Sequence, residues 1–142
     1  MLIHLFYTVL LAILYALLEI QVEGKNGWCR NLPTFRINVF FKKFLGGKPL
    51  TGYHIYMLLV FLVVFHAMMH GEMSWKNEAN TIGLLSLFFV LEDIFWFIFN
   101  PHYTLKKFIN KDIEWHKRWF LGLPYMYWWG MIIGTTLLYL GR

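Results

Sequence analysis

The chain has 142 residues, of which 58% are hydrophobic and only 15% are charged. This composition excludes an ordinary soluble domain and predicts a protein whose solvent is lipid. The net charge of +5 comes from Lys and Arg residues that cluster between apolar segments, which favours contact with anionic lipid and argues against nucleic-acid binding. The single cysteine, Cys29, cannot form an internal disulfide.

Four apolar segments approach the ~20 residues that an α-helix needs to cross the hydrocarbon core. They are residues 2–20, 51–69, 81–99 and 124–140. We therefore predict an all-α polytopic fold in which residues 1–142 form one domain with four transmembrane helices. The first segment has no basic residue before it and no small-x-small cleavage site after it, so we expect it to remain as a helix.

The basic residues are distributed unevenly between the predicted loops. Loops 21–50 and 100–123 carry most of the Lys and Arg residues, whereas the short loop between the second and third segments has only Lys76. The positive-inside rule then places both long loops in the cytoplasm and both termini outside a cell membrane. We expect the two long loops to touch the anionic inner leaflet.

Both long loops contain basic amphipathic stretches. In the first loop the apolar residues recur at helical spacing among basic residues, which predicts a helix lying in the membrane interface. These apolar residues are Ile37, Phe40, Phe41, Phe44 and Leu45. Leu105, Phe108 and Ile109 repeat the pattern in the second loop. A surface anchor is the simplest role, and substrate gating or partner docking are alternatives.

A histidine pair lies near the outer end of the second segment. His66 and His70 are four residues apart, with Glu72 beyond them and His4 at a similar level in the first segment. This spacing permits a shared metal, and histidines that face each other from two helices permit haem ligation. Ordinary interfacial histidines that bond to water or backbone are the alternative.

The most informative feature is the pair Glu92 and Asp93 inside the third segment. Two adjacent carboxylates in hydrocarbon cost several kcal/mol unless they are neutralised, paired or hydrated. His54 lies within roughly 6 Å of Glu92 in membrane depth, which makes it the best-placed partner. Further candidates are Glu19, Glu23, His102 and His116.

Carboxylates and imidazoles in this arrangement suit a divalent transition metal (Zn²⁺, Mn²⁺ or Fe²⁺) or metal-free acid–base catalysis. We predict Glu92, Asp93 and His54 as catalytic residues. The predicted metal ligands are His54, Glu92, Asp93 and His116. No known metal motif is present. The alternative is that these polar side chains are hydrogen-bonded to one another and only fix the packing of the helices.

The two acidic residues of the third segment are not expected to be equivalent. Asp93 shares a helix stripe with Ser86 and Asn100, so it should be better hydrated than Glu92, whose neighbours are aromatic. Glu92 therefore needs a charged or metal partner, or must be protonated. We expect Glu92→Gln to keep the fold but eliminate activity or metal, and Asp93→Asn to have a milder effect.

The fourth segment contains a GxxxG pair, Gly130 and Gly134, which lets another helix approach closely. It predicts packing within the chain or, alternatively, a homodimer or larger complex. Tyr127, among other aromatic residues at the start of this segment, indicates an interfacial aromatic belt. Cys29 is interpreted as an inert or lipid-facing thiol, because no histidine lies near it in the sequence.

Several short runs resemble small prokaryotic four-span membrane proteins that carry no assigned activity. The runs are residues 19–24, 27–28, 32–36, 46–54 and 91–93, with Trp96 and residues 100–101. The resemblance implies a stand-alone four-span protein and transfers no functional residue.

Three hypotheses for the function follow from the residues. The first is a metal-dependent or acid–base enzyme that acts on a lipid-like substrate near the cytoplasmic leaflet. The alternatives are a non-catalytic interaction subunit or assembly factor of a larger membrane complex, and an electron-transfer protein with haem held by His4, His66 or His70.

Overall fold

The computed structural model describes residues 1–40, 47–69 and 73–142. It is 65% helical, which agrees with the predicted all-α class. The helices are α1 (Leu2–Glu23), α2 (Gly52–Met68), α3 (Trp75–Phe99), α4 (Thr104–Ile109) and α5 (Tyr125–Leu140). Four strands of two residues each are β1 (Arg36–Ile37), β2 (Leu50–Thr51), β3 (Trp119–Phe120) and β4 (Leu123–Pro124).

Two helices are long and apolar enough to cross a membrane, namely α1 with 22 residues and α3 with 25. α2 is apolar but has 17 residues, and α5 has 16. At 1.5 Å per residue these two helices rise about 25 Å, less than the roughly 30 Å of a hydrocarbon core. Length and composition therefore support two crossings among the described helices, and four crossings stay a prediction.

Capping residues determine where the helices begin and end. Ser74 accepts a hydrogen bond from the Asn77 N–H and starts α3 six residues before the predicted segment 81–99. The predicted segment is shorter than α3 because polar residues extend the helix on the N-terminal side of its apolar part. Thr51 caps α2 in the same way through the His54 N–H. α1 ends at Glu23 and is followed by Gly24, whose φ of 62° lies in the left-handed region that glycine adopts readily.

α3 is the central helix, because α1, α2 and α5 all pack mainly against it. The Phe88 ring of α3 lies with its centroid 4.2 Å from that of Phe61 and 5.5 Å from that of Phe65, both on α2. These three rings are at least 95% buried. Between apolar helices in lipid, close packing of this kind supplies the van der Waals contacts that hold the helices together.

The GxxxG pair of α5 packs against α3 within the chain. A Cβ atom added at Gly134 would lie 2.7 Å from the Leu87 side chain and 3.1 Å from the Gly83 carbonyl oxygen. At Gly130 an added Cβ would collide with Val90. This contact is the intramolecular role predicted for the two glycines, and a dimer through the same face stays a prediction.

Two short antiparallel hairpins, absent from the predicted fold, fold the long loops back onto the starts of helices. β1 pairs with β2, with Ile37 opposite Leu50, directly before α2. β3 pairs with β4, with Phe120 opposite Leu123, directly before α5. Strands of two residues are too short to show the alternation by which a strand is recognised in a sequence.

The predicted interfacial helix of the first loop is wrong where the structure describes it. Ile37 lies in β1 and Phe40 in a turn, because pairing with β2 extends the backbone at the point where the helix was expected. The remaining apolar positions of that prediction, Phe41, Phe44 and Leu45, lie outside the described residues.

The second amphipathic stretch does form a helix. Leu105, Phe108 and Ile109 belong to α4, in which Lys106 and Lys107 are exposed. Phe108 packs against the Phe97 ring with a centroid distance of 5.0 Å, while Ile109 is 71% exposed. The apolar residues of α4 thus include one that anchors the helix to the bundle and one that is exposed.

Candidate functional site

A cavity of about 450 Å³ lies near the end of the helices where α1 and α3 finish and α2 and α5 begin. Its polar lining comes from Glu19, Glu23, His54, Ser86, Glu92, Asp93, His116 and Tyr127. Its apolar lining includes Met57, Phe89, Val90, Met126, Trp129 and Ile133. No Lys or Arg among the described residues lines it. Four carboxyl groups therefore share one cavity without a permanently charged cationic side chain.

Asp93 is held between two donors from other parts of the chain. The His116 Nε2 atom lies 2.8 Å from Asp93 Oδ2, and the Tyr127 hydroxyl donates a hydrogen bond to the same oxygen. The Asp93 side chain is 28% exposed, that of His116 is 10% exposed, and Tyr127 is 3% exposed. This triplet places an imidazole at the cavity wall with one nitrogen fixed by a carboxylate.

Glu92 lies deeper than Asp93 and has a different partner. It is 6% exposed, and the acidic side chain of Glu19 on α1 lies close enough to act on it electrostatically. The Tyr53 hydroxyl, which lies 2.8 Å from the Tyr15 hydroxyl, is in turn close to Glu19. The Glu92 Oε1 atom is buried and has no hydrogen-bond partner. The expected partner His54 is therefore replaced by Glu19, although His54 lines the same cavity.

A third group brings together three kinds of metal ligand. A carboxylate oxygen of Glu23, the Cys29 sulfur and a ring nitrogen of His54 lie within 4.8 Å of one another. Cys29 is fully buried, and burial together with the nearby Glu23 carboxylate raises the pKa of its thiol. The interpretation of Cys29 as lipid-facing is wrong, because the loop after α1 turns the side chain inward to His54, 25 residues later in the sequence.

Aromatic rings close the cavity on the side of the long loops. The Trp115 ring lies with its centroid 5.9 Å from that of Trp96 and 6.3 Å from that of Trp28. Gly27 fits beneath this wall only because it has no side chain, since an added Cβ would lie 2.6 Å from the Trp115 ring. These rings form an aromatic wall beside the polar groups of the cavity.

All four residues predicted as catalytic or metal-binding line the cavity, but they do not form one ligand group. Among residues 1–40, 47–69 and 73–142, the close group of possible ligands retains His54 and adds Glu23 and Cys29. Asp93 and His116 pair with each other instead. His102, another candidate, is exposed and lies outside the lining.

Tyr127 was missed, because a tyrosine at the start of an apolar helix is typical of an interfacial belt. Its hydroxyl nevertheless reaches inward to Asp93. The role of Cys29 was missed because one of its partners, His54, lies 25 residues later in the sequence. A signal was present for Cys29: it follows Gly24 and Gly27, two glycines that favour a tight turn at the end of α1.

The second histidine group is only partly described. The His66 Nε2 atom lies 2.8 Å from Glu78 Oε2, and its Nδ1 atom is bonded to the Leu62 carbonyl oxygen. Both ring nitrogens of His66 are thus hydrogen-bonded, and metal or haem binding by this group stays a prediction. His70 and Glu72 lie outside the described residues.

Comparison with known proteins adds no relative from which a role could be transferred. No family model matches the chain, and neither curated proteins nor solved structures give a significant match. The site must therefore be interpreted from its own geometry.

Proposed function

We propose that the chain is a membrane-embedded enzyme that performs acid–base chemistry on the polar group of a lipid-like substrate bound in the cavity. The observation that carries the proposal is the Asp93–His116 pair, with 2.8 Å between its bonded atoms, on the wall of a cavity that also has an apolar side. A cluster of polar side chains that served helix packing alone would not require the adjoining cavity of about 450 Å³.

His116 is the proposed general base. A carboxylate at Nε2 favours the tautomer that carries its proton on that nitrogen, and this leaves Nδ1 as the acceptor. When Nδ1 takes a proton, the resulting imidazolium is stabilised by the Asp93 carboxylate. The Tyr127 hydroxyl, bonded to the same carboxylate, holds Asp93 in position.

The shape of the cavity supports an amphiphilic substrate. The polar groups lie on one part of its wall, and the apolar part comes from α2, α3 and α5. α2 and α5, both fully described, share no extensive contact and instead pack against α3. An acyl chain could therefore enter between α2 and α5 and lie over Phe89 and Val90 of α3, with its polar group beside His116.

The same arrangement supports the proposed topology. We propose that α2 and α5 cross the membrane as α1 and α3 do, with modest local thinning for their shorter lengths. Both basic loops leave the helix ends at the cavity, so the positive-inside rule places the cavity at the cytoplasmic leaflet. The exposed Lys106 and Lys107 of α4 would then contact anionic lipid.

Turnover of a total bacterial lipid extract tests the proposal. The full chain in mild detergent is incubated with the extract, and each lipid class is followed by mass spectrometry. We expect the wild type to convert at least one class, and His116→Ala to lose that conversion by roughly a hundredfold or more. His102→Ala is the matched control, because His102 is exposed and outside the cavity.

Two results would contradict the proposal. One is a lipid extract left unchanged by the wild-type protein at every pH tested. The other is conversion by His116→Ala at the rate of the His102→Ala control.

A further inference from the structure

The end of α1, the loop that follows it and the first turn of α2 together present an oxygen, a sulfur and a nitrogen ligand. The ligand atoms of Glu23, Cys29 and His54 all lie within 4.8 Å of one another. A tetrahedral Zn²⁺ with bonds of about 2.0–2.3 Å holds its ligand atoms about 3.5 Å apart. The Cys29 sulfur already lies 3.2 Å from Glu23 Oε1, so movements of about 1 Å or less bring the three atoms to that spacing.

The backbone around Cys29 is held in place from two sides. The Cys29 N–H donates to Glu23 Oε1 at 2.7 Å, and the Cys29 carbonyl oxygen accepts from Arg36 Nη2 at 2.7 Å. Trp28 and Cys29 both have φ of 50°, a left-handed conformation that costs a non-glycine residue about 1–2 kcal/mol. These hydrogen bonds compensate for that cost and keep the sulfur beside the Glu23 carboxylate.

His54 is oriented by two contacts outside the ligand group. Its Nδ1 atom lies 2.6 Å from the hydroxyl of Thr51, a residue with no exposed surface. The Trp28 ring packs against the imidazole with 4.7 Å between centroids. Contacts of this kind fix the ring and are typical of histidines that bind metal.

An independent observation, outside this group, points to a cation in the cavity. Glu92 is 6% exposed, lines the cavity, and has a buried Oε1 atom without a hydrogen-bond partner. A buried acceptor without a partner costs about 1–3 kcal/mol or more. The cavity holds four carboxyl groups and no Lys or Arg among the described residues, so a cation bound there meets acidic side chains and no competing basic one.

We propose that Glu23, Cys29 and His54 bind one Zn²⁺ ion, with the fourth coordination position open to the cavity. The carboxylate and the thiolate together neutralise the divalent ion, which suits a site surrounded by apolar and aromatic side chains. The Cys29 thiol transfers its proton to solvent when its sulfur bonds to the metal. Three protein ligands and one open position are the arrangement of catalytic zinc sites. Any catalytic role of the ion rests on the proposed function, whereas its binding does not.

Cobalt binding by the full chain in mild detergent tests the site. The chain is treated with a chelator, desalted and titrated with Co²⁺ while the near-ultraviolet sulfur-to-cobalt charge-transfer band is recorded. Because the chain has one cysteine, a band at one Co²⁺ per chain reports Cys29 ligation without the need for any variant. We expect this band, and we expect stoichiometric Zn²⁺ to abolish it.

Variants then identify the other ligands. Cys29→Ser should abolish the band, and His54→Ala and Glu23→Gln should each weaken Co²⁺ binding by more than roughly tenfold. His66→Ala and Glu78→Gln are the matched controls, since they change the same residue types on α2 and α3 outside the cavity. Both controls should bind Co²⁺ as the wild type does.

The proposal is overturned if the wild type shows no sulfur-to-cobalt band, if Cys29→Ser retains the band, or if His54→Ala binds Co²⁺ as His66→Ala does. The variant His116→Ala distinguishes a failure of the metal-site proposal from a failure of the proposed function. That variant should keep the band while losing lipid turnover, whereas an absent band with His116-dependent turnover would refute the metal site alone.

Discussion

Asp93 and His116 are 23 residues apart in the sequence, and their side chains meet with 2.8 Å between Oδ2 and Nε2. Asp93 lies two turns before the end of α3, and His116 lies in the loop between α4 and β3. The Trp119 indole donates to the His116 carbonyl oxygen at 2.6 Å and fixes the loop at this point. The pair is therefore held by a rigid helix on one side and a braced loop on the other.

Tyr127→Phe should slow lipid turnover while keeping the fold. The change removes the hydroxyl that donates to Asp93 and leaves the ring in its buried place. Loss of one positioning hydrogen bond of about 1 kcal/mol predicts a rate decrease of roughly fivefold to tenfold. The control is Tyr125→Phe, because Tyr125 is 47% exposed and does not line the cavity. Equal rates for the two variants would remove Tyr127 from the site.

Glu92→Gln should keep the fold and abolish turnover. Glutamine has nearly the shape of glutamate, and it replaces the ionisable carboxyl group near Glu19 by a neutral amide. We therefore expect a midpoint of thermal unfolding equal to or above that of the wild type. Thermal unfolding and lipid turnover are measured on the same preparation. A variant that turns over lipid at the wild-type rate would show that Glu92 is structural.

The expected ranking of Glu92 and Asp93 is revised by the structure. Asp93 is the more exposed of the two, as predicted. A milder effect of Asp93→Asn was expected from that exposure. Since Asp93 contacts both His116 and Tyr127, we now expect Asp93→Asn to slow turnover at least a hundredfold.

Gly134→Leu should destabilise the packing of α5 on α3. A Cβ at this position already lies 2.7 Å from Leu87, so a larger side chain must push the helices apart. Overpacking of this kind costs about 1–3 kcal/mol, which should lower the midpoint of thermal unfolding by several degrees. Thr136→Leu, at an exposed position of the same helix, is the control. A midpoint unchanged by Gly134→Leu would contradict the close contact.

The Lys48–Glu114 ion pair should make a small, pH-dependent contribution to stability. Its atoms lie 2.6 Å apart and join the two long loops. The hydrogen bond and charge of Lys48 lower the pKa of Glu114 below its usual value. A carboxyl group with a lowered folded-state pKa adds stability above its unfolded pKa of about 4.3, and that stability is lost as the pH falls through the folded-state pKa.

Glu114→Gln tests this contribution. We expect a slightly lower unfolding midpoint than wild type at pH ~7, and a difference that shrinks as the pH falls through the folded-state pKa of Glu114 and the carboxyl group becomes protonated. Because both side chains are partly exposed, the effect is below about 1 kcal/mol and should shrink in high salt. A difference that persists unchanged at low pH would show that the pair does not act through charge.

Much of the helical framework was predictable, because apolar segments with clear breakers define where helices can lie. α5 begins at Tyr125, one residue after the start of the predicted segment 124–140, and ends at the same residue as that segment. The predicted segment 81–99 is shorter than α3, because an apolar run indicates only the apolar part of a helix. The first turn of α3 is polar and is capped by Ser74. That cap was a usable signal. The two-residue strands carried no such signal.

Four members of the candidate site were predictable from the sequence, whereas Tyr127, the role of Cys29 and the pairings between groups were not. Glu92, Asp93, His54 and His116 were identified because buried charges and nearby imidazoles stand out in an apolar sequence, and all four line the cavity. The pairing of these side chains depends on how the loops fold back onto the ends of the helices. That folding is set by packing between residues far apart in the sequence, such as Trp28 and His54.

The central claim, that Asp93 and His116 work as one catalytic unit, is tested most directly by a double-mutant cycle. Initial rates of lipid turnover are measured for the wild type, Asp93→Asn, His116→Ala and the double variant under one set of conditions. If the pair acts as a unit, the double variant should be no slower than His116→Ala alone, because the carboxylate acts only through the imidazole. A double variant whose loss equals the product of the two single losses would contradict the account.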